Sequence, residues 1–306
     1  MHESLRGYTT AVLADVAREP LGEQVAEDLN AVAHLVSRTN ELALTLTDFG
    51  VPTAARKAVL QDLLASRVQP LALRIVLRAV ETERVEAFPT VLHELYELAR
   101  HMHDLHPEEL RAEEPIVSRT AWREFMAGYS DAVFEEVHET SELEEIEDEL
   151  FRFARVVEAS APLRSVLSDP SLPLPSREQI LGELLEAKVR RATLELIRMT
   201  IQGRVRDLAA SLDWLVEQAA RARGWRIARV STGLPIDDDE HRLLTEALER
   251  LTNRPVELQI LADPDILGGA VIQIGDLLVD ASAQRRLDQV EEHLLSHEGA
   301  TRGAQT

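Results

Sequence analysis

Apolar residues recur at helical spacing along most of the first 220 residues of the chain. Val25, Leu29, Val32 and Val36, for example, are separated by four, three and four positions, which places them on one face of a helix. The pattern predicts six helices near residues 4–18, 23–37, 40–48, 53–65, 69–82 and 85–103. Because the connections between them are short, we expect neighbouring helices to pack antiparallel in a bundle.

The same pattern returns 121 residues later. GYTTAV at residues 7–12 reappears as GYSDAV at residues 128–133, and Pro52 corresponds to Pro173. After the loss of one residue, Arg84 corresponds to Arg204. Solenoid repeats have much shorter periods. The repeat therefore indicates a duplicated helical domain.

Beyond residue 223 the apolar pattern changes from helical to alternating. RIARVST at residues 226–232 alternates as a strand, and so do Val256, Leu258 and Ile260. Between these strands, Asp237 and Glu240 have the spacing of a capping box that opens a helix. The predicted buried face of that helix comprises Leu243, Leu244, Ala247, Leu248 and Leu251.

The stretch from Asp263 to Leu287 combines glycine pairs with two more short strands. Residues 270–274 and 277–279 read as strands joined by a Gly275-Asp276 turn, where a glycine tolerates positive φ. Gly268-Gly269 allows the chain to bend ahead of them. A helix from Ser282 to Leu295 follows, with Leu287, Val290 and Leu294 on one face.

The predicted fold class is mainly α, with two tandem six-helix bundles followed by a small C-terminal α/β domain. The predicted boundaries are 1–103 for the first bundle, 104–119 for a linker, 120–223 for the second bundle, 224–295 for the α/β domain and 296–306 for a disordered tail.

Charge and composition exclude several classes of protein. The formal net charge is −21, and no basic face for nucleic acid or anionic lipid is apparent. Cysteine is absent, so the chain has no disulfide or thiolate metal site, as expected in a reducing compartment. The N-terminus lacks a signal-peptide pattern, and no apolar run approaches the ~18 residues of a membrane span. We expect a soluble, cytoplasmic protein that needs other subunits to work at a membrane.

No motif in the sequence predicts a nucleotide, cofactor or metal site. There is no phosphate-binding loop, and neither Lys57 nor Lys188 follows a glycine-rich loop. His101, His103 and His106 cluster, but we interpret them as a solvated helix end or linker in preference to a transition-metal site. No catalytic residue and no cofactor is predicted.

Two further features have both a purely structural and a functional interpretation. Nine carboxylates lie between Glu135 and Glu149, and they form a solvated helix face or a docking surface for a basic partner. Tyr8 and Tyr129 each follow a glycine near the start of a bundle. They are core residues, or they line a groove for an amphipathic partner helix.

The C-terminal stretch resembles the signature of the δ subunit of F-type ATP synthase, the family of the oligomycin-sensitivity-conferring protein. The resembling residues are Asp263-Pro264, Leu267-Gly268-Gly269, Ile274-Gly275-Asp276, Val279-Asp280, Ser282 and Arg286-Leu287. The family usually has glycine where this chain has Ala281. Residues 120–295 resemble the single-copy subunit, and residues 4–103 resemble its helical domain a second time.

The resemblance implies a non-catalytic stator component that links the catalytic head to the peripheral stalk and resists rotor torque. In the family, the first and fifth helices of the helical domain receive the N-terminal helix of an α subunit. The implied positions in this chain are Gly128, Tyr129, Ala132, Val133, Ile197, Ile201 and Arg204, with Tyr8, Ala11, Val12 and Arg84 in the first copy. The α/β domain is expected to meet b-type stalk helices through Ile266, Leu267 and Val290.

The resemblance also implies a peripheral location at the cytoplasmic face of the plasma membrane. We expect b to be a separate chain, because no membrane anchor precedes residue 1. The alternative function is a stand-alone scaffold that binds amphipathic helices outside ATP synthase. An enzyme with a cleft between the bundles and the α/β domain is a third hypothesis, which the absence of any nucleophile–base or metal pattern disfavours.

Overall fold

The computed structural model describes most of the chain. The described residues are 1–17, 19–104, 118–138, 142–202, 207–224, 226–252, 255–264, 266, 268–274 and 277–280. They fall into two compact units, which divide between Ala219 and Ala220. The predicted linker and tail therefore lie largely outside the described residues, as does the predicted C-terminal helix.

Six helices occupy the first hundred residues, as predicted. They are α1 (Glu3–Leu13), α2 (Pro20–Arg38), α3 (Asn40–Thr47), α4 (Thr53–Leu64), α5 (Pro70–Thr82) and α6 (Phe88–Asp104), with a 3-10 turn over Val85–Ala87. Proline begins α2 and α5, where its missing N–H is harmless. The predicted stripe of Val25, Leu29, Val32 and Val36 is fully buried in the core that these helices share.

Six more helices follow in the same order. They are α7 (Arg119–His138), α8 (Leu143–Ala159), α9 (Ala161–Ser168), α10 (Leu174–Leu185), α11 (Arg191–Gln202) and α12 (Leu208–Ala222). Each corresponds to the helix six places earlier, so α1 matches α7 and α5 matches α11. The prediction of two six-helix bundles is confirmed.

The two copies share a local turn as well as the order of their helices. The side chain of Asp48 accepts a hydrogen bond from the N–H of Gly50 at 2.7 Å, and Asp169 accepts one from the N–H of Ser171 at 2.8 Å. The Ser171 hydroxyl also donates to Asp169, and these bonds hold the pKa of that carboxyl below its usual value. The same turn therefore precedes α4 and α10 in the two copies.

The described part of the second unit contains a four-stranded sheet and one complete helix. Its elements are β1 (Arg226–Thr232), α13 (Asp238–Thr252), β2 (Val256–Ala262), β3 (Ala270–Ile274) and β4 (Leu277–Asp280). The strand order is β2-β1-β3-β4, with β1 parallel to β2 and antiparallel to β3, and β3 antiparallel to β4. The predicted strands are confirmed, whereas the Gly275-Asp276 turn lies outside the described residues.

The start of α13 confirms the predicted capping box. The N–H of Asp237 donates to the carboxylate of Glu240 at 3.1 Å, and the N–H of Glu240 donates to Asp237 at 2.8 Å. Gly269 has φ of 77°, so the predicted bend before β3 uses backbone geometry that favours glycine.

The predicted buried face of α13 is too wide. Leu248 is buried against the sheet and Leu244 is partly buried. Leu243 and Leu251, by contrast, are 57% and 61% exposed. The reason is geometric, because a helix that packs on a single sheet buries only the narrow stripe that faces the strands.

Candidate partner-binding site

The first helices of the two bundles, α1 and α7, pack directly against each other at a pair of glycines. A Cβ added at Gly7 would lie 2.8 Å from the carbonyl carbon of Phe125 and closer still to its oxygen. A Cβ added at Gly128 would lie 2.6 Å from the carbonyl carbon of Ser4 and again closer to its oxygen. Only glycine therefore permits the observed distance between the two backbones.

These two contacts are equivalent under the sequence repeat. Gly7 corresponds to Gly128, and Ser4 corresponds to Phe125, in each case 121 positions later. Each helix thus presents the same face to the other, with a glycine of one against the backbone of the other. This is the arrangement of an isologous dimer interface, built here within a single chain.

Tyr8 connects α1 to the second bundle through its hydroxyl group. The hydroxyl donates to the carboxylate of Glu135 at 2.6 Å, and the ring is only 2% exposed. Burial and the neighbouring Glu135 carboxylate raise the pKa of Tyr8 to about 12. The Cζ atom of Arg78, from α5, lies 5.0 Å from the centre of the same ring, within the range of a cation–π contact.

Tyr129 is the matching residue on α7 and is 4% exposed. Its ring lies 6.2 Å from that of Phe125, and the Cζ atom of Arg6 in α1 lies 5.7 Å from the centre of the Phe125 ring. Burial, with the nearby carboxylates of Glu195 and Asp15, raises the pKa of Tyr129. Burial also raises the pKa of Glu195.

Ion pairs extend the contact to the fifth helix of each bundle. Arg78 of α5 pairs with Asp131 of α7, and Arg191 of α11 pairs with Asp15, just beyond α1. An ion pair therefore links the fifth helix of each bundle to the first helix of the other bundle or to the residues just beyond it.

The predicted partner-binding residues differ in their burial. Tyr8, Gly128, Tyr129, Ala132, Val133, Ile197 and Ile201 are buried. Ala11, Val12 and Ile266 are partly buried, and Arg84 is exposed. Arg204, Leu267 and Val290 lie outside the described residues. Tyr8 and Tyr129 are brought together at the α1–α7 contact, whereas Ile266 belongs to the other unit.

Most of the described carboxylates of the acidic run are exposed, but two of them are buried. Glu147 and Glu149 are 3% and 7% exposed. Glu149 accepts a hydrogen bond from the N–H of Arg190 at 2.9 Å and one from the Thr193 hydroxyl at 2.5 Å. Its carboxylate thus caps the N-terminus of α11, where negative charge is favourable.

The first bundle has the same cap. The carboxylate of Asp28 accepts a hydrogen bond from the N–H of Gln69 at 2.6 Å, at the start of α5. Asp28 and Gln69 correspond to Glu149 and Arg190 under the repeat. In the sequence, the repeat of 121 residues shows that both copies keep an acid at this position, but it does not show which helix the acid caps.

The histidine cluster is only partly described. His103 Nδ1 lies 2.7 Å from the carbonyl oxygen of Ala17, while His106 lies outside the described residues. Within the part of the chain that the structure describes, no group of three or more His, Asp or Glu residues is placed to hold a metal ion. Among the described helices, none has both the length and the apolar character needed to cross a membrane.

A family model described as ATP synthase delta (OSCP) subunit matches residues 5–116 and 126–294. The chain is 32% identical to the ATP synthase subunit delta of Frankia casuarinae, over 94% of this chain and 93% of that protein. It is 33% identical to the corresponding subunit of Frankia alni, over 89% of this chain and 87% of that protein.

A chain in the solved Toxoplasma gondii mitochondrial ATP synthase hexamer is a more distant match. It has 17% sequence identity and a TM-score of 0.39, and the match covers 56% of this chain and 97% of that chain.

Proposed function

The chain belongs to the ATP synthase delta (OSCP) subunit family, a family of non-catalytic subunits, and on this premise we propose that it is the stator link of its complex. It joins the catalytic head, through the N-terminal helix of an α subunit, to the b-type helices of the peripheral stalk. The observation that carries this proposal is the family match over both copies of the helical repeat and the α/β unit.

The function of such a link is mechanical. Rotation of a central shaft drives ATP synthesis only if the head does not rotate with it, so the link must resist torque through stiffness and affinity. The two bundles suit this task because they form one compact unit. Two attachment sites in one chain also give avidity, since the second attachment is intramolecular.

The proposed contacts follow the family positions. The partner helix of α uses the Tyr129 side of α7 with Ile197 and Ile201 of α11, or the Tyr8 side of α1 with α5. The b helices meet the α/β unit near Ile266. The chain lies at the cytoplasmic face of the plasma membrane as a peripheral subunit, where other subunits hold it.

Purification of the affinity-tagged chain from gently solubilised membranes tests the proposal. We expect the α and b subunits to co-purify in stoichiometric amounts. A stable complex with unrelated proteins, and without α or b, would instead support the stand-alone helix-binding scaffold. A second preparation that lacks residues 1–110 tests the first bundle, whose removal we expect to weaken retention of the head.

A further inference from the structure

Of the two faces that the proposed function offers to a partner helix, the one on α7 is already covered by α1 at Gly128. We propose that α1 is an internal occupant of this face, and that the α-subunit helix binds by displacing it. This inference rests on the proposed function, because it concerns the regulation of the same site.

Burial supports this competition. The central position of the site, Tyr129, is 4% exposed, and the neighbouring Ala132 is 2% exposed. The backbone of α7 at Gly128 lies against the backbone of α1 at Ser4, with no room for a methyl group between them. A second helix therefore cannot reach Gly128 and Tyr129 while α1 stays in place.

The way α1 is held also makes displacement feasible. The polar part of the contact includes the Tyr8–Glu135 hydrogen bond, the ion pairs of Glu135 with Arg74 and Arg78, the pair of Arg78 with Asp131, and the pair of Arg191 with Asp15. Both partners of the last pair are more than half exposed, and exposed ion pairs contribute little. The rest of the contact is helix packing at the glycine crossing, which another amphipathic helix with a small central residue can reproduce.

Linkage gives the expected size of the effect. If the free face of α7 exists in only a fraction of molecules, the apparent Kd for the partner helix is its intrinsic value divided by that fraction. A change in α1 that loosens its contact by a factor of ten therefore tightens partner binding by about tenfold. The change must lie in α1, so that the binding face of α7 and α11 stays unaltered.

The test uses the full chain and a synthetic peptide of the N-terminal helix of the cognate α subunit. Gly7→Ala places a methyl group against the backbone of Phe125 and loosens α1. Gly182→Ala, in α10, is the matched control, because its Cβ would meet its nearest neighbour, the Arg198 guanidinium, at an ordinary 3.6 Å. Isothermal titration should show binding to Gly7→Ala about tenfold tighter than to the wild type, and to Gly182→Ala within about twofold.

Hydrogen exchange on the unmodified protein provides a second readout that does not depend on how a variant folds. Added peptide should speed exchange of the amides in α1 while it slows exchange in α7. Protection of α1, or equal peptide affinity of the wild type and Gly7→Ala, would overturn the displacement and leave the proposed function standing. If neither protein binds the peptide, the proposed contact with the head fails, and the displacement fails with it.

Discussion

Gly128→Ala tests the glycine crossing that joins the two bundles. Its new Cβ would lie 2.6 Å from the carbonyl carbon and 3.0 Å from the Cα of Ser4, whereas ordinary contacts begin at 3.4 Å. The obstruction is backbone, so it cannot rotate away, and α1 and α7 must separate by roughly 1 Å, which weakens the dispersion contacts along the crossing. Overpacking of this kind costs about 1–3 kcal/mol.

Part of this cost is offset, because alanine is a better helix former than glycine by about 0.5–1 kcal/mol. We therefore expect Gly128→Ala to lose about 1–2 kcal/mol of unfolding free energy. The control Gly182→Ala should instead gain about 0.5–1 kcal/mol, because its methyl group makes only ordinary van der Waals contacts with the side chains of Arg198 and Glu186. Urea denaturation followed by far-ultraviolet circular dichroism measures both.

Because the contacts of Gly7 and Gly128 are equivalent under the repeat, the two substitutions should have related effects on stability. Gly7→Ala should cost about as much as Gly128→Ala, and the double variant should cost less than the sum, since one added methyl group already separates the helices. If Gly128→Ala proved as stable as Gly182→Ala, the close crossing of α1 and α7 would be refuted.

Three further predictions concern the polar contacts of the bundles. Glu149→Ala should lose about 2–3 kcal/mol in urea denaturation because it uncaps α11, while the exposed Glu144→Ala should change stability by less than about 0.5 kcal/mol; equal effects would contradict the cap. The folded-state pKa of Tyr8, about 12, lies above its ordinary value of 10.0, so the stability that the protonated hydroxyl contributes is present below pH 10 and is lost as the pH rises to about 12. The decline in melting temperature over that range should be shallower in Tyr8→Phe, and an unchanged decline would contradict the buried hydroxyl. Asp131→Asn should destabilise the chain by up to about 1 kcal/mol, and the same substitution should cost less when Arg78 is already replaced by Met, so equal costs in the two backgrounds would rule out a direct pair.

The sequence predicted the helices and strands because their signals are local or repeated. The stripe from Val25 to Val36 and the alternation in residues 226–232 each specify an element through its own periodicity. The repeat of 121 residues specified two bundles of the same kind. Asp237 and Glu240 specified a helix start through a spacing that depends only on the first turn.

The sequence could not predict how the bundles contact each other. GYTTAV and GYSDAV mark a helix face that another helix can approach closely. The motif does not specify whether that helix belongs to this chain or to another chain. The exposed Leu243 and Leu251 show the same limit, because an apolar position does not specify which neighbour covers it. The role of Glu149 as a cap depends on α11, which begins 42 residues after it.

The most direct test of the stator assignment is proton-driven ATP synthesis in inverted membrane vesicles from which this chain has been removed. The account predicts that the stripped vesicles retain the membrane sector but lose the head and ATP synthesis, and that the purified chain, added back with the head, restores both. Full coupled synthesis by vesicles shown to lack the chain would contradict the account.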